Sequence, residues 1–247
     1  MIDNLSEPLK SQVNSFLNGG NGHNGNGKKS NPLEVNFTYN VSFYSGNTAI
    51  DRALDITGGF LGLVILLPLF IITSLVILIT QGRPLFFKQS RLGKNGEEFT
   101  VYKFRTMRAD AEEILKEDEE LYRQYVENDY KLKAKDDPRI TGIGSFLRRS
   151  SIDELPQFFN VLKGDMSLVG PRPIVPKEIE RYGEHAKEFL SVKPGITGLW
   201  QVTGRSEIGY PDRKYLDLIY IDRKNLWLDI KILIKTVFVV FKKVGAH

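Results

Sequence analysis

Two adjacent carboxylates in the segment RRSSIDELPQ, residues 148–157, have the clearest potential for chemistry in this chain. Ser151 and Glu154 have the S-x-x-E spacing of a capping box, in which both side chains satisfy the first free N–H groups of a helix. Pro156 argues against a plain capping box, because it would be the fifth helical residue, whose N–H should already be bonded. The sequence therefore favours a helix that begins at Asp153, where the free N–H groups and the helix dipole would keep the carboxylate ionised.

Arginines flank this acidic pair. Arg148 and Arg149 lie just upstream, and Arg172 lies between two prolines in GDMSLVGPRP. Arginines in stiff loops suit bidentate contacts to phosphate, and the start of a helix also attracts phosphate. Because Mg²⁺ takes one or two carboxylates together with phosphate oxygens, the residues predict a site for Mg²⁺ and a diphosphate. A simple helix cap is the alternative.

The composition excludes several other chemistries. The chain has no cysteine, which excludes disulfides, cysteine-based metal sites and a thiol nucleophile. Its three histidines are too far apart in the sequence to favour a metal cluster or a catalytic triad: His23, His185 and His247. Motifs for a P-loop, a Rossmann fold and the common nucleic-acid-binding modules are missing, so no nucleic-acid partner is expected. The net charge of +4 also suits anionic lipids or phosphorylated substrates.

Residues 56–80 form an apolar run without a single charge. At about 1.5 Å per residue, a helix of this length could cross a hydrocarbon core of about 30 Å. Pro68 lies at its midpoint and removes a backbone hydrogen bond, so the helix should bend there. A kinked helix that spans the membrane and a re-entrant hairpin both remain open. The basic residues that follow the run place its C-terminal side in the cytoplasm.

The chain divides into three parts. Residues 1–48 contain the Gly/Asn-rich stretch NGGNGHNGNGKKSNP and predict a disordered tail. Residues 49–82 form the membrane segment, and residues 83–247 form a cytoplasmic domain. The expected fold is α+β and mainly helical, in which a proline-broken membrane helix precedes a β-hairpin and amphipathic helices at the membrane surface.

Within the cytoplasmic domain, residues 85–89 and 98–104 predict the strands of a hairpin around a glycine-containing turn. Residues 107–133 predict one solvated helix with a thin apolar stripe. The segment NLWLDIKILIKTVFVVFKKVGAH predicts a basic amphipathic helix, with apolar residues at helical spacing: Trp227, Ile230, Ile234 and Phe238. Such a helix suits a membrane surface, and packing against its own domain is an equal alternative.

Several long motifs in a fixed order resemble the bacterial sugar transferase family, the monotopic phosphoglycosyl transferases. The resemblance covers residues 48–242. It rests on DRALD, the proline-broken apolar helix, FFKQSRLGKNGEEFTVYKFRTM, DDPRITGIGSFLRRSSIDELPQFFNVLKGDMSLVGPRP and KPGITGLWQVTGR.

This resemblance implies an enzyme at the cytoplasmic face of the bacterial inner membrane. Such enzymes transfer a sugar-1-phosphate from a nucleotide diphosphate sugar, by habit a UDP-sugar, to polyprenyl (undecaprenyl) phosphate and release UMP. They begin the assembly of exopolysaccharide, O-antigen, capsule or other glycans. By the resemblance, Asp153 is the nucleophile that forms an acyl-phosphate intermediate, and Glu154 binds Mg²⁺. The family's re-entrant helix matches Pro68 and favours the hairpin geometry.

Further residues match family positions less specifically. Arg148 matches an arginine assigned to phosphate binding, and three residues are candidates for diphosphate or nucleotide contacts: Lys103, Arg105 and Arg172. Asp229 matches a family aspartate without an assigned role. The expected partners are a UDP-sugar, polyprenyl phosphate, the phospholipid membrane and possible further copies of the chain. The competing hypothesis is a non-catalytic lipid-binding scaffold, which could have lost the Asp–Glu pair that this chain retains.

Overall fold

A computed structural model of the chain describes residues 1–18, 48–127, 132, 136–204 and 208–242. Its α-helices are α1 (Glu7–Asn18), α2 (Thr48–Gln81), α3 (Ala111–Glu117), α4 (Glu119–Glu127), α5 (Gly142–Ser150), α6 (Gln157–Lys163), α7 (Ala186–Phe189), α8 (Leu199–Thr203), α9 (Asp212–Arg223) and α10 (Leu226–Lys242). Its strands are β1 (Phe86–Leu92), β2 (Glu98–Phe104), β3 (Ser167–Val169) and β4 (Gly195–Thr197). The mainly helical fold with a small hairpin is confirmed.

The predicted hairpin is an antiparallel pair of β1 and β2. The register pairs Phe86 with Phe104 and Leu92 with Glu98. A short 3-10 turn, Lys94–Gly96, joins the strands, and Asn95 within it has a φ of 61°. A second, parallel pair is formed by β3 and β4. It brings the two loops that follow these strands to the same side of the domain.

The apolar run is one continuous helix of 34 residues, α2, and Pro68 lies inside it. The sequence predicted a break at this proline, whereas the helix continues on both sides of it. In the described part of the chain, α2 is the one helix long and apolar enough to cross a membrane. Many of its apolar side chains are exposed, and Ile79 is 82% exposed. This face needs an apolar environment other than the protein's own core.

The other face of α2 packs along the domain. A Cβ at Gly62 would lie 2.6 Å from the Phe158 ring, so glycine permits a close approach to α6. Near the C-terminal end, the Phe70 ring lies 4.9 Å from that of Phe104, and Ile77 is fully buried. At the N-terminal end, Arg52 donates to the carbonyls of the last turn of α6. The helix therefore contacts the domain from one end to the other.

The N-terminal residues correct the prediction of a disordered tail over residues 1–48. Residues 7–18 form α1, and Leu5, Leu9 and Val13 are buried in the main apolar core. Leu9 and Val13 are four positions apart and lie on one face of the helix, and Leu5 precedes the helix and enters the same core. The prediction of disorder was wrong for residues 1–18, while residues 19–47, which hold the Gly/Asn-rich stretch, lie outside the described residues.

Two further helices differ from or refine the predictions. The single helix expected over residues 107–133 is divided into α3 and α4, because Asp118 between them has extended backbone angles. Residues 128–131 and 133 of that prediction lie outside the described residues. In α10, Leu228 and Ile232 are buried against the domain, whereas Trp227 is 66% exposed. Ile234 and Phe238 are exposed as well, so α10 packs on its own domain and also presents an apolar outer stripe.

Candidate active site

The acidic pair lies in a tight connection between α5 and α6. Ser151 ends α5 in the left-handed region, with φ 58°, and turns the chain into a 3-10 turn over Ile152–Glu154. Helix α6 begins only at Gln157, and Pro156 precedes it as the N-cap residue. The expected helix start at Asp153 was therefore wrong. The argument against a capping box is confirmed, because the Ser151 side chain makes no cap hydrogen bond. Placing Pro156 just before α6 avoids the need for its missing N–H.

Glu154 is held by two cations. Its Oε1 accepts a hydrogen bond of 2.6 Å from Lys103 Nζ and one of 3.1 Å from Arg172 Nη1. Burial acts to raise the pKa of Glu154, but the charges of Lys103 and Arg172 outweigh it and hold this pKa below its usual range. Glu154 is therefore an ionised carboxylate with one of its two oxygens already engaged.

Asp153 is in the opposite situation. Only 8% of it is exposed, and within the described residues its carboxylate makes no hydrogen bond and no ion pair. Burial, and next the negative charge of Glu154, raise the pKa of Asp153 above its ordinary value. The helix-dipole argument predicted the reverse effect and was wrong, because no α-helix starts at this residue. Within the described residues the Asp153 oxygens therefore have no direct partner, whereas Glu154 Oε1 is engaged by two cations.

Three of the four predicted cations surround the pair. Strand β2 brings Lys103, and the loop after β3 brings Arg172. Arg148, on the last turn of α5, donates from Nε to Thr106 Oγ1 at 2.9 Å. Its charge acts to lower the pKa of Asp153, together with those of Lys103 and Arg172. The site therefore has a carboxylate without a direct partner beside several buried or half-buried positive charges, an arrangement that suits a phosphate ester.

Arg105 lies elsewhere. Its guanidinium donates to the backbone carbonyls of Gln81, Gly82 and Arg83, the latter two at 3.0 Å. These carbonyls end α2 and begin the loop after it, so Arg105 caps the apolar helix. In the described structure these hydrogen bonds attach the end of α2 to the domain, and the predicted contact of Arg105 with a diphosphate or nucleotide stays a prediction.

Two residues that the sequence did not single out support the site. Asn160 is fully buried in α6 and bonds to β2 through both ends of its amide. Its Nδ2 donates to Thr100 O at 2.7 Å, and its Oδ1 accepts from Tyr102 N at 3.2 Å. The residue thus fixes α6, and the turn before it, against the strand that carries Lys103. A lone asparagine inside the apolar run PQFFNVL is the signal that could have revealed it.

Arg91 is the second. Its Nη1 donates to Pro173 O at 3.2 Å and lies 3.6 Å from Glu178 Oε2. Burial, and next the charge of Arg172, lower the pKa of Arg91 to about 10. Arg91 therefore attaches the loop that carries Arg172 to strand β1.

Asp229 belongs to a different network. Its Oδ1 accepts from Tyr220 OH at 2.8 Å, and its Oδ2 lies 3.5 Å from Lys224 Nζ. Lys224 also donates to Asp51 Oδ2 at 3.1 Å. Since Asp51 is in the first turn of α2, this buried network joins the start of the apolar helix to α9 and α10. The role of Asp229 in the described structure is to hold these three elements together.

The number of carboxylates in the site limits which metal ions it could bind. No group of three or more His, Asp or Glu side chains is placed to hold a metal ion within the described residues. Mg²⁺ needs fewer protein ligands than that, since one or two carboxylates suffice when phosphate oxygens complete its shell. Glu154 Oε2, which lies beside the engaged Oε1, and the Asp153 carboxylate fit this limited donor set.

Comparisons with known proteins agree with the motifs. The model of the family described as bacterial sugar transferase matches residues 46–243. The galactosyl transferase CpsE of Streptococcus agalactiae is 48% identical over 213 residues, which are 85% of this chain and 46% of that protein. Undecaprenyl-phosphate galactose phosphotransferase of Salmonella typhimurium is 47% identical over 201 residues, 80% of this chain and 42% of that protein. UDP-glucose:undecaprenyl-phosphate glucose-1-phosphate transferase of Escherichia coli is 36% identical over 217 residues, 85% of this chain and 44% of that protein. The chain thus spans less than half the length of each of these relatives.

Proposed function

Because the chain belongs to the bacterial sugar transferase family, we propose that it transfers a sugar-1-phosphate from a UDP-sugar to polyprenyl phosphate and releases UMP. The observation that carries this proposal is the asymmetry of the acidic pair. Glu154 is engaged by two cations, whereas Asp153 is buried and has no direct partner in the part of the chain that the structure describes. A carboxylate in this state is suited to nucleophilic attack on phosphorus. The names of two relatives, which specify undecaprenyl phosphate, support the same acceptor.

The reaction has two displacements. In the first, an Asp153 carboxylate oxygen attacks the sugar-bearing phosphorus. The bond from this phosphorus to the bridging oxygen breaks, and UMP leaves with that oxygen. In the second, a phosphate oxygen of polyprenyl phosphate attacks the same phosphorus, and the bond to Asp153 breaks. The product is a polyprenyl diphosphate sugar, and the carboxylate is regenerated.

Positive charge near the pair stabilises both displacements. Lys103 and Arg172, which contact Glu154, lie where negative charge builds up on the phosphoryl oxygens. Arg148 adds a third charge close to Asp153. A Mg²⁺ ion bound by Glu154 and the donor's phosphates would supply further charge neutralisation to the leaving group.

We also propose that α2 enters the cytoplasmic leaflet and returns, so that the domain lies on the cytoplasmic face of the inner membrane. Arg52 attaches the start of α2 to α6, and Arg105 attaches its end to β2. A helix that crossed the bilayer would have its ends on opposite sides, about 30 Å apart. Contact of both ends with one domain supports the re-entrant geometry, which requires α2, continuous through Pro68 in the structure, to bend at this proline in the membrane. The exposed stripe of α10 would then lie at the membrane surface.

Capture of the intermediate tests the proposal. Purified protein in nanodiscs is mixed with Mg²⁺ and a panel of UDP-hexoses and UDP-acetamido sugars labelled with ³²P at the sugar phosphate. We expect label on the wild-type chain for the correct donor, UMP release, and transfer of the label when undecaprenyl phosphate is added. Asp153→Asn should retain no label and release no UMP, because an amide cannot form the acyl phosphate.

The matched control is Asp110→Asn, an exposed aspartate paired with Arg108. It should behave as wild type. Full transfer by Asp153→Asn would exclude the covalent route. Absence of any label or turnover in the wild type, with salt-dependent binding to anionic vesicles, would instead favour the lipid-binding scaffold. Full turnover after complete removal of Mg²⁺ would exclude the metal from the mechanism.

A further inference from the structure

Helices α8 and α9 contain a group of buried polar atoms that have no hydrogen-bond partner among the described residues. They are the indole Nε1 of Trp200, both amide atoms of Gln201, and Nε of Arg213. Native proteins satisfy nearly all buried polar groups, so each exception needs an explanation, such as an ordered water, an ion or a functional role. Four such atoms on three neighbouring side chains could make several hydrogen bonds to a polar ligand.

Arg213 gives this group a positive charge. Its guanidinium carbon lies 4.5 Å from the centre of the Trp200 ring, and both residues are 8% exposed. Within the described residues Arg213 makes no ion pair, and Asp217, one turn later, accepts from Tyr182 OH at 2.8 Å. The charge of Arg213 acts on Asp217, but a buried guanidinium without a direct ion pair still favours a phosphate or carboxylate ligand.

The group lies beside the loop that carries Arg172. A Cβ at Gly198 would lie 2.2 Å from Gly170 O and 2.7 Å from Gln201 Oε1. The Gln201 amide and the backbone of Gly170 therefore meet at Gly198. Gly170 directly follows β3 and lies two positions before Arg172 in the chain. Arg91 connects the same region electrostatically, since the charges of both Arg172 and Arg213 act to lower its pKa.

We propose that Gln201 and Arg213 bind the nucleoside monophosphate part of the donor, with Trp200 supporting Arg213. This inference rests on the proposed function, which makes UMP the leaving group. A carboxamide has one acceptor and one donor side by side, as does the edge of uracil formed by N3–H and a neighbouring carbonyl. The guanidinium of Arg213 takes the phosphate that departs with the nucleoside. The sugar phosphate lies at Asp153, and Arg172 stands between the two halves of the donor.

Direct binding of UMP to the full-length chain in nanodiscs tests this subsite, by calorimetry without UDP-sugar. Gln201→Leu keeps the approximate volume and removes both polar atoms. We expect UMP affinity to fall by about tenfold, the factor associated with the loss of hydrogen bonds to a buried ligand group. Arg213→Met should lower the affinity for UMP by at least that factor and leave the affinity for uridine unchanged. Gln124→Leu, in the exposed helix α4, is the matched control and should bind UMP as the wild type does.

The melting temperature distinguishes ligand binding from a structural role. Without nucleotide, Gln201→Leu should melt at the same or a higher temperature, because it removes two unsatisfied polar atoms from a buried position. UMP affinity within twofold of wild type in Gln201→Leu, or a lower melting temperature together with weaker UMP binding, would overturn the inference. If Gln201→Leu does not fold, Gln201→Glu provides the same comparison, since its carboxylate lacks the donor and repels phosphate.

The two proposals can fail separately. A wild-type chain that binds UMP in a Gln201-dependent way but transfers no sugar phosphate would retain the subsite and refute the proposed transfer. A chain that transfers sugar phosphate but binds UMP equally well in both variants would retain the reaction and refute the subsite.

Discussion

Replacement of Leu9 by alanine should destabilise the whole domain, although the residue lies outside the segment matched to the family. Leu9 is 7% exposed and packs in the main core together with Leu5 and Val13. Truncation of a buried leucine costs about 2–5 kcal/mol, depending on how far the surroundings collapse. Because α1 is a peripheral helix, the lower part of this range, about 2–3 kcal/mol, is expected. In a chain of 247 residues this lowers the melting temperature by roughly 4–12 °C.

The loss of stability cannot exceed the free energy with which α1 docks on the rest of the domain. An isolated helix of 12 residues is marginal in water, so α1 is stable only while its apolar face is covered. If the substitution exceeds the docking energy, α1 separates locally and the remaining domain keeps its own melting temperature. Amide hydrogen exchange resolves the two cases, because local separation accelerates exchange in residues 7–18 alone.

The assay is thermal melting in nanodiscs combined with hydrogen exchange, with Ser11→Ala as the control. Ser11 is an exposed residue of the same helix, and its replacement should change stability by less than about 0.5 kcal/mol. Equal melting temperatures for Leu9→Ala, Ser11→Ala and wild type, with fast exchange of the α1 amides in all three, would refute the docked helix.

Two further predictions concern the acidic pair and its support. Glu154→Gln removes the charge that, after burial, raises the pKa of Asp153, while the neighbouring cations remain, so this pKa should fall. The acidic limb of the pH profile for intermediate formation should move to lower pH even though the rate decreases. An acidic limb at the same or a higher pH would contradict the electrostatic account. Asn160→Asp replaces the donor to Thr100 O with a carboxylate oxygen and should cost about 2–3 kcal/mol in thermal stability. Asn14→Asp on the exposed side of α1 is its control, and equal losses from both would show that the buried amide has no special role.

Local sequence patterns predicted the elements that are formed by neighbouring residues. The hairpin follows from two short strand patterns around a turn, and the structure pairs residues 86–92 with 98–104. The apolar helix and the C-terminal helix were visible for the same reason. In each case the signal lies within a window of a few turns or strand positions, so one segment is sufficient to reveal it.

Elements that depend on distant partners were predicted less well. Leu5, Leu9 and Val13 form an apolar stripe too short to stand out from the Gly/Asn-rich stretch that follows it. The apolar surface of α8, α9 and α10 stabilises α1, and these helices lie far along the chain. The hydrogen bond from Gln12 to Thr203, for example, joins residues 191 positions apart. Disorder was therefore the natural but incorrect prediction. Similarly, Lys103 and Arg105 are two positions apart in one motif, yet they have different partners. Lys103 lies in β2 and contacts Glu154, whereas Arg105 follows the strand and contacts the end of α2.

The sequence by itself determined that an Asp–Glu pair, several arginines and one long apolar helix occur in this chain, and these residues were enough to suggest its family. Only the tertiary structure decided that Glu154 is restrained while Asp153 is not. Lys103 and Arg172, which lie 51 and 18 positions from Glu154 in the chain, converge on that one carboxylate. The reactivity of a carboxylate depends on its burial and on the charges within a few ångströms, and both quantities exist only once distant segments have packed together.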